Sequence, residues 1–422
     1  RTSHEIQKIR AIPYEEFGKM LDWGAVRRFR ESALNPYHPS LRNTVQNPDV
    51  YFQFREANNR FYDGLPDIVE DYMQQINAVT GEVLLDQNSG QQRCVASLTK
   101  MMTALLLLES GKNLDETITI PADLTEEFQN IRGQNGCTIL LTAGEQLRRI
   151  DLLYALLVCS ANDAASVIAW DVAGSIPDFV QQMNARAAEL GMEHTTFRNA
   201  CGLDEDGHLS TARDVAIMSR EMLLNHPEIE NYCTVWMDTL RGGATQLVNT
   251  NKLPKSYNGI TGLKTGTTGK AGVCISASAS RDDLRLIAVV LGSSSGKERF
   301  AAATSLLDYG FAMFESALVP IPADAPKTLP VQKGEEPALE LCYTAPERCL
   351  AVKGQGSALQ AEVELPQTLE APIREGSVIG SLNIKNSQGI LQSCPIIAAK
   401  PVDARSFSGC FRRVVNALWL TA

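Results

Sequence analysis

The 422-residue chain carries 49 Asp and Glu against 39 Lys and Arg, a formal net charge of −10. That balance argues against nucleic acid as a partner, because nucleic-acid binding calls for a basic surface. Hydrophobic residues at 44% fit a globular protein, no run approaches the ~18 consecutive apolar residues of a membrane span, and the length leaves room for two or three domains.

Residues 1–76 follow rules of their own. Arg1-Thr-Ser-His-Glu-Ile-Gln-Lys-Ile9, Asn47-Pro-Asp-Val-Tyr-Phe-Gln-Phe-Arg-Glu-Ala57 and Phe61-Tyr-Asp-Gly-Leu-Pro-Asp-Ile-Val-Glu70 resemble an interior stretch of pyruvate:ferredoxin oxidoreductase. The resemblance implies a foreign, helical segment joined to the rest by gene fusion or by sequence assembly. It contains no cysteine, hence no iron–sulfur ligand, and no legible thiamine-diphosphate motif, so no oxidoreductase chemistry is expected of it. No apolar core or small-residue cleavage site marks a secretory signal at the start. At its end, Tyr72-Met-Gln-Gln-Ile-Asn-Ala-Val79 combines with Ile68 and Val69 in a spacing that favours helix at least as much as strand. Either Met73 to Val79 serves as a makeshift strand, or the sheet begins at Glu82 with an imperfect edge.

Ser97-Leu-Thr-Lys100 then sets a hydroxyl and an amine one helical turn apart, in front of the apolar run Met101 to Leu108 that Gly111 can end. Positions i and i+3 share a helix face. A lysine kept from water by its own apolar helix loses basicity, and a neutral amine is the base a serine nucleophile needs. By itself Ser-x-x-Lys reads as a helix N-cap. Further along, Ser160-Ala-Asn162 separates two helical patterns, Gln146 to Val158 and Asp163 to Val172. Lys264-Thr-Gly266 ends a short segment, Gly259 to Leu263, and a turn-like Gly266-Thr-Thr-Gly269 leads into alternating strands Lys270 to Ser280 and Leu284 to Leu291. A Lys-Thr-Gly strand facing a Ser-x-x-Lys helix makes a cleft, and the three motifs in this order form the active-site set of penicillin-binding proteins and class A β-lactamases.

From about Thr80 to Glu315 the chain resembles the low-molecular-mass serine D-alanyl-D-alanine carboxypeptidases. Ala96-Ser-Leu-Thr-Lys-Met-Met-Thr103, Met183-Asn-Ala-Arg-Ala-Ala-Glu-Leu-Gly-Met192, Gly202-Leu-Asp-Glu-Asp-Gly-His-Leu-Ser-Thr-Ala-Arg213 and Gly262-Leu-Lys-Thr-Gly-Thr-Thr-Gly-Lys-Ala-Gly272 carry the likeness. Val95 stands where the family usually has proline. The resemblance implies an α/β (α+β) catalytic domain over 77–317, with an antiparallel sheet between helical layers. It implies Ser97 as nucleophile on the carbonyl between two terminal D-alanines and Lys100 as its base. Ser160 would relay a proton to the departing D-alanine with Lys264 tuning it, and Asn162 would hold both Lys100 and the substrate's peptide group. Lys264, Thr265 and Thr267, with Gly266 between them, suit a free carboxylate. The oxyanion hole falls at the backbone N–H groups of Ser97 and Thr267. No metal or cofactor is implied.

Other residues are weighed against these roles. Of the five histidines, His4 and His38 lie outside the catalytic region, His194 and His226 sit in polar connections where they are expected to be solvated, and His208 orders a loop. A Ser-His-Asp triad is not expected. Glu221-Met-Leu-Leu-Asn225 matches the string that carries the deacylating glutamate of class A β-lactamases, but it continues a helical pattern from Thr211 and reads as a solvated helix residue. The ten cysteines show no zinc spacing; Cys342 with Cys349 is one possible disulfide, and Cys159 reads as helix packing.

A proline-rich boundary at Ala317 to Pro326 precedes short alternating runs, Ala338 to Cys342, Leu359 to Leu365 and Val378 to Ile384, expected to form a small all-β domain over 318–400. Leu369-Glu-Ala-Pro-Ile-Arg-Glu-Gly-Ser-Val-Ile-Gly380 resembles the C-terminal domain of the same carboxypeptidases. In the tail, 401–422, Phe407, Phe411, Val414 and Leu418 share a helical face opposite Arg412, Arg413 and Asn416, which suits either an interfacial membrane helix or a helix docked on the β domain. The partners implied are a peptidoglycan stem peptide ending in D-Ala-D-Ala and β-lactams as covalent inhibitors, placing the protein at the outer face of the cytoplasmic membrane. The competing readings are a serine β-lactamase and an inactive fusion whose foreign segment spoils the sheet.

Overall fold

Tyr72–Asn77 (β1) forms the first strand of the computed structural model, which describes residues 72–386 and 389–406. It pairs antiparallel along its whole length with Leu284–Ser293 (β9), and on its other side with Val83–Gln87 (β2). Of the two alternatives open in the sequence, the strand is the one adopted, and it is internal to the sheet. The nearly continuous apolar β9 offers a complete ladder of backbone partners, and β-propensity yields to such context. The imperfection falls at the edge, where the β1–β2 register slips between Gln75 and Ile76. Residues 72–76, the end of the segment 1–76 expected to be helical, are thus strand; the rest of that expectation lies outside the described residues.

The main sheet has the order β2-β1-β9-β8-β7, in which β7 is Ile260–Thr268 and β8 is Gly272–Arg281. Every pairing in it is antiparallel. Residues of a strand alternate between faces. On one face Ile76, Ile287 and Val289 join a core with a buried helical layer. That layer contains Lys100–Glu109 (α1), Thr125–Gly133 (α2), Arg149–Leu157 (α3), Asn162–Ala173 (α4), Ile176–Glu189 (α5) and Ala212–Asn225 (α6). Shorter helices follow at Ile229–Cys233 (α7) and Leu253–Ser256 (α8). On the opposite face Gln75 reaches the Leu306 carbonyl of Gly296–Met313 (α9). The sheet therefore lies between helical layers.

Two local expectations are corrected. Gln146–Arg148 is not helix but a short strand (β4) paired with Thr117–Thr119 (β3), and α3 starts at Arg149, where the Asp151 carboxylate accepts the Arg148 N–H. Gly266 to Thr268 does not turn: β7 keeps its register with β8 as far as Thr268 opposite Gly272. A separate hairpin joins Met237–Leu240 (β5) and Thr245–Val248 (β6).

The second unit begins at Phe314. Phe314–Leu318 (β10) pairs with Arg348–Val352 (β13), so the boundary expected after residue 317 falls inside a strand. Thr328–Gln332 (β11), Ala338–Tyr343 (β12), Gln360–Glu364 (β14), Leu369–Glu370 (β15), Val378–Asn386 (β16) and Gly389–Ala398 (β17) make a six-stranded sheet. Val402 bridges Ile373 and belongs to this unit's core, carrying the β fold past residue 400. Cys342 on β12 and Cys349 on β13 lie in different sheets, the first exposed and the second buried, and no disulfide joins them. The amphipathic segment 407–422 lies outside the described residues.

Candidate active site

A 3-10 turn, Ala96–Thr99, carries Ser97 directly into α1. Lys100 is the first residue of that helix and is fully buried. Its Nζ lies 2.8 Å from Ser97 Oγ, 2.6 Å from Asn162 Oδ1 and 2.6 Å from the Cys201 carbonyl oxygen. Asn162 Oδ1 and the carbonyl can only accept. A neutral amine therefore gives its two N–H groups to them and turns its lone pair toward the Ser97 hydroxyl. Burial pushes the Lys100 amine below the ordinary lysine range, the direction a base requires.

The second motif reaches the same point from a different helix pair. Ser160 sits in the connection between α3 and α4 with φ +65°, a left-handed backbone for a residue that has a Cβ. Asn162 starts α4, and its N–H donates to the Cys137 carbonyl at 2.7 Å. Asp163 beside it is buried and accepts from Thr138 Oγ1 at 2.5 Å, from the Ile139 N–H at 3.1 Å and from the Leu141 N–H at 3.0 Å. That carboxylate fixes the loop walling one side of the site.

The third motif is on β7. A Cβ at Gly266 would lie 2.8 Å from the Ser97 amide nitrogen and 3.0 Å from the Val95 carbonyl oxygen. Glycine is what lets the strand press against the nucleophile's turn. Lys264 is buried and its Nζ donates to the Thr265 carbonyl at 2.9 Å. Burial first, then the charge of Lys100, hold its amine down at about 7. Thr265 Oγ1 donates to Thr250 Oγ1 at 2.7 Å, and Thr267 stands exposed with its Oγ1 donating to the Gly266 carbonyl.

Ser97, Ser160, Asn162, Thr265, Gly266 and Thr267 line one cleft of about 570 Å³, and Lys100 and Lys264 lie buried behind it. The three motifs converge. Sequence reasoning missed part of the lining. Arg299 of α9 is buried there, with Nη1 donating to the Gly266 and Cys274 carbonyls and Nε lacking a hydrogen-bond partner; burial holds it at about 10. No motif marks it, because its position depends on α9 packing across the sheet. Asp204 accepts from Thr268 Oγ1 and the Lys270 N–H, securing the turn after β7. It lies within the Gly202-to-Arg213 segment, yet nothing in its spacing reveals that contact.

His208 orders its loop: Nε2 meets Thr99 Oγ1 at 2.8 Å, Nδ1 accepts from the Arg198 N–H, and burial holds the ring neutral with a pKa of about 4. His194 is exposed, but His226 is half-buried between Glu109 and Glu228 and not solvated as expected. Glu221 is likewise tied down, paired at 2.6 Å with Arg186 of α5, and it does not line the cleft. Among the described residues no group of three or more His, Cys, Asp or Glu is placed to hold a metal ion, and no helix is long and apolar enough to cross a membrane.

Residues 65–295 match the family model of D-alanyl-D-alanine carboxypeptidases, and 320–404 match the penicillin-binding protein 5 C-terminal domain. The chain is 35% identical to the D-alanyl-D-alanine carboxypeptidase DacF of Bacillus subtilis over 80% of its own length and 87% of that relative. It superposes on penicillin-binding protein 5 from Haemophilus influenzae with a TM-score of 0.71 at 27% identity, covering 80% of this chain and 98% of that one. Residues 1–74 match a different model, that of pyruvate flavodoxin/ferredoxin oxidoreductase. Over 81 residues the chain is 62% identical to the pyruvate-flavodoxin oxidoreductase of Klebsiella pneumoniae, which is 19% of this chain and 7% of that enzyme.

Proposed function

The chain belongs to the D-alanyl-D-alanine carboxypeptidase family, and on that premise we propose how its residues cleave a stem peptide ending in D-Ala-D-Ala. Ser97 Oγ attacks the carbonyl between the two D-alanines while Lys100 takes its proton; a positioned base of this kind contributes about 10²- to 10⁴-fold. The backbone N–H groups of Ser97 and Thr267 hold the oxyanion, each such donor typically worth about 3 kcal/mol. Ser160, tuned by Lys264, passes a proton to the leaving D-alanine amine, and water then hydrolyses the acyl-enzyme. Lys264, Thr265 and Thr267 bind the free carboxylate, and the unpaired Nε of Arg299 adds positive potential at the same end. The observation that carries this reading is the 2.8 Å contact between Lys100 Nζ and Ser97 Oγ, with acceptors occupying both N–H groups of the neutral amine.

The substrate places the reaction in the cell envelope. Because Glu221 pairs with Arg186 and both Asp204 oxygens are engaged, neither carboxylate is free to activate water against a penicilloyl adduct, and β-lactams inhibit the enzyme. For the segment 405–422 a reversible membrane contact and a helix docked on the β domain are the two readings; lipid-vesicle flotation lost on its removal favours the first, and no flotation of the full chain favours the second. For the main reading, D-alanine release from a pentapeptide ending in D-Ala-D-Ala is measured with wild-type and Ser97→Ala protein. Release by the wild type and none by the variant is expected. Equal release by both, or none by the intact chain, overturns the assignment, the latter in favour of an inactive fusion.

A further inference from the structure

Two thiols in the cleft wall take no part in this chemistry. Cys137 follows α2 in the loop that Asp163 secures, and Cys159 immediately precedes Ser160; both line the cleft. Cys137 is exposed and Cys159 half-buried. Cys137 Sγ lies 2.9 Å from the Cys159 carbonyl oxygen, and Cys159 Sγ donates to the Ala155 carbonyl at 3.3 Å. Each thiol is the other's foremost electrostatic neighbour. The Cys159 side chain, aided by the charges of Lys100 and Lys264, holds Cys137 below the ordinary thiol range, whereas Cys137 and burial push Cys159 up. An exposed thiol that donates to the backbone of a second, more shielded cysteine is the arrangement of an attacking and a resolving cysteine.

We propose that Cys137 and Cys159 form a thiol pair that closes to a disulfide by exchange with a small disulfide, and that closure slows acylation of Ser97. Cys137 loses its proton to solvent, and the thiolate attacks one sulfur of the small disulfide, forms a mixed disulfide and expels one thiolate. Cys159 loses its proton to solvent and attacks the Cys137 sulfur, which forms the internal S–S bond and expels the second thiolate. Two electrons pass from the pair to the small disulfide, which departs as two thiols. The new bond ties the loop to the residue before Ser160. It pulls on Asn162 as well, through the Cys137 carbonyl that accepts the Asn162 N–H. Formation of the bond is independent of the proposed acyl transfer; its effect on acylation rests on that reading.

The full-length protein is treated with oxidised glutathione, digested without reduction and mapped by mass spectrometry, and the rate of labelling by a fluorescent penicillin is followed in parallel. A cross-linked peptide pair containing Cys137 and Cys159 is expected, with labelling slowed about tenfold, roughly one decade of rate, and recovered with dithiothreitol. Oxidation leaves the labelling rate of Cys137→Ser unchanged, and Cys159→Ser keeps glutathione on Cys137. Glutathione retained on Cys137 in the wild type, or both thiols unmodified, overturns the pair. A cross-link without slowing overturns its effect on acylation. Failure of the reduced protein to label counts against the acyl-transfer reading and leaves the cross-link readable.

Discussion

The floor of the cleft and the first strand of the sheet lie in the same unit, yet they treat buried polar groups differently. Under the nucleophile, Lys100 has three polar partners within 2.8 Å and Asp163 collects a hydroxyl and backbone N–H groups. In β1, Gln75 donates to the Leu306 carbonyl but leaves its buried Oε1 unpartnered, and Gln74 makes contacts of 3.3 and 3.4 Å to Asp86 and Ser89. The oxidoreductase match extends to residue 74, into this strand. A strand needs little more than a backbone ladder, which nearly any sequence supplies. A catalytic floor needs particular side chains, each matched to the next. The carboxypeptidase match covers these residues as well, and the strand they form sits in the sheet with an incomplete side-chain fit.

The contrast can be broken from either side. Lys100→Met removes the amine and leaves two acceptors facing a thioether; β-lactam labelling should slow by about 10²- to 10⁴-fold, measured by gel fluorescence over time. A loss smaller than tenfold would mean the base lies elsewhere. Gly266→Ala places a methyl against the Ser97 amide, and a displacement of about 1 Å in a reacting group costs on the order of 10²-fold; stopped-flow acylation reads the loss, and an unaltered rate contradicts the close approach.

The pH dependence of binding gives a milder effect. Lys264, at about 7, is charged below that pH and loses its charge as pH rises through it. Its attraction for a carboxylate is thus full below about pH 7 and declines above it. KM for the peptide should rise several-fold between pH 6.5 and 8.5, a few kT or less of lost ion pairing at an intermediate dielectric. A Lys264→Met variant should show a flat KM over that interval. A flat KM in the wild type would remove Lys264 from carboxylate recognition.

The smallest effect belongs to β1. Gln75→Leu removes the orphaned oxygen, and relief of such a group is worth about 1 kcal/mol, which is ~2–4 °C in Tm for a unit of this size. Differential scanning calorimetry should show that rise with the acylation rate unchanged. A lower Tm would mean the Leu306 contact outweighs the orphan.

These residues also show what the sequence made legible. Ser97, Lys100, Asn162 and Lys264 sit in motifs whose local geometry, a helix turn or a strand, already implies how each side chain is presented, whereas Ser160 is marked by its motif but presented by a left-handed backbone between two helices. Arg299 and Asp204 could not be found that way: they reach the cleft through α9 packing and a turn, contacts that exist only after long-range association. The strand β1 was ambiguous for the opposite reason. Its own spacing suits two periods, and the choice is made by β9, more than 200 residues away. The turn expected at Gly266 failed because glycine there serves close approach to Ser97, not a reversal of the chain.

Acylation of Ser97 is tested most directly by mass spectrometry of the intact protein after exposure to benzylpenicillin, followed by peptide mapping. One penicilloyl group on the peptide containing Ser97, absent from Ser97→Ala, is the expected result. An adduct on another residue, or one that persists in Ser97→Ala, would contradict it.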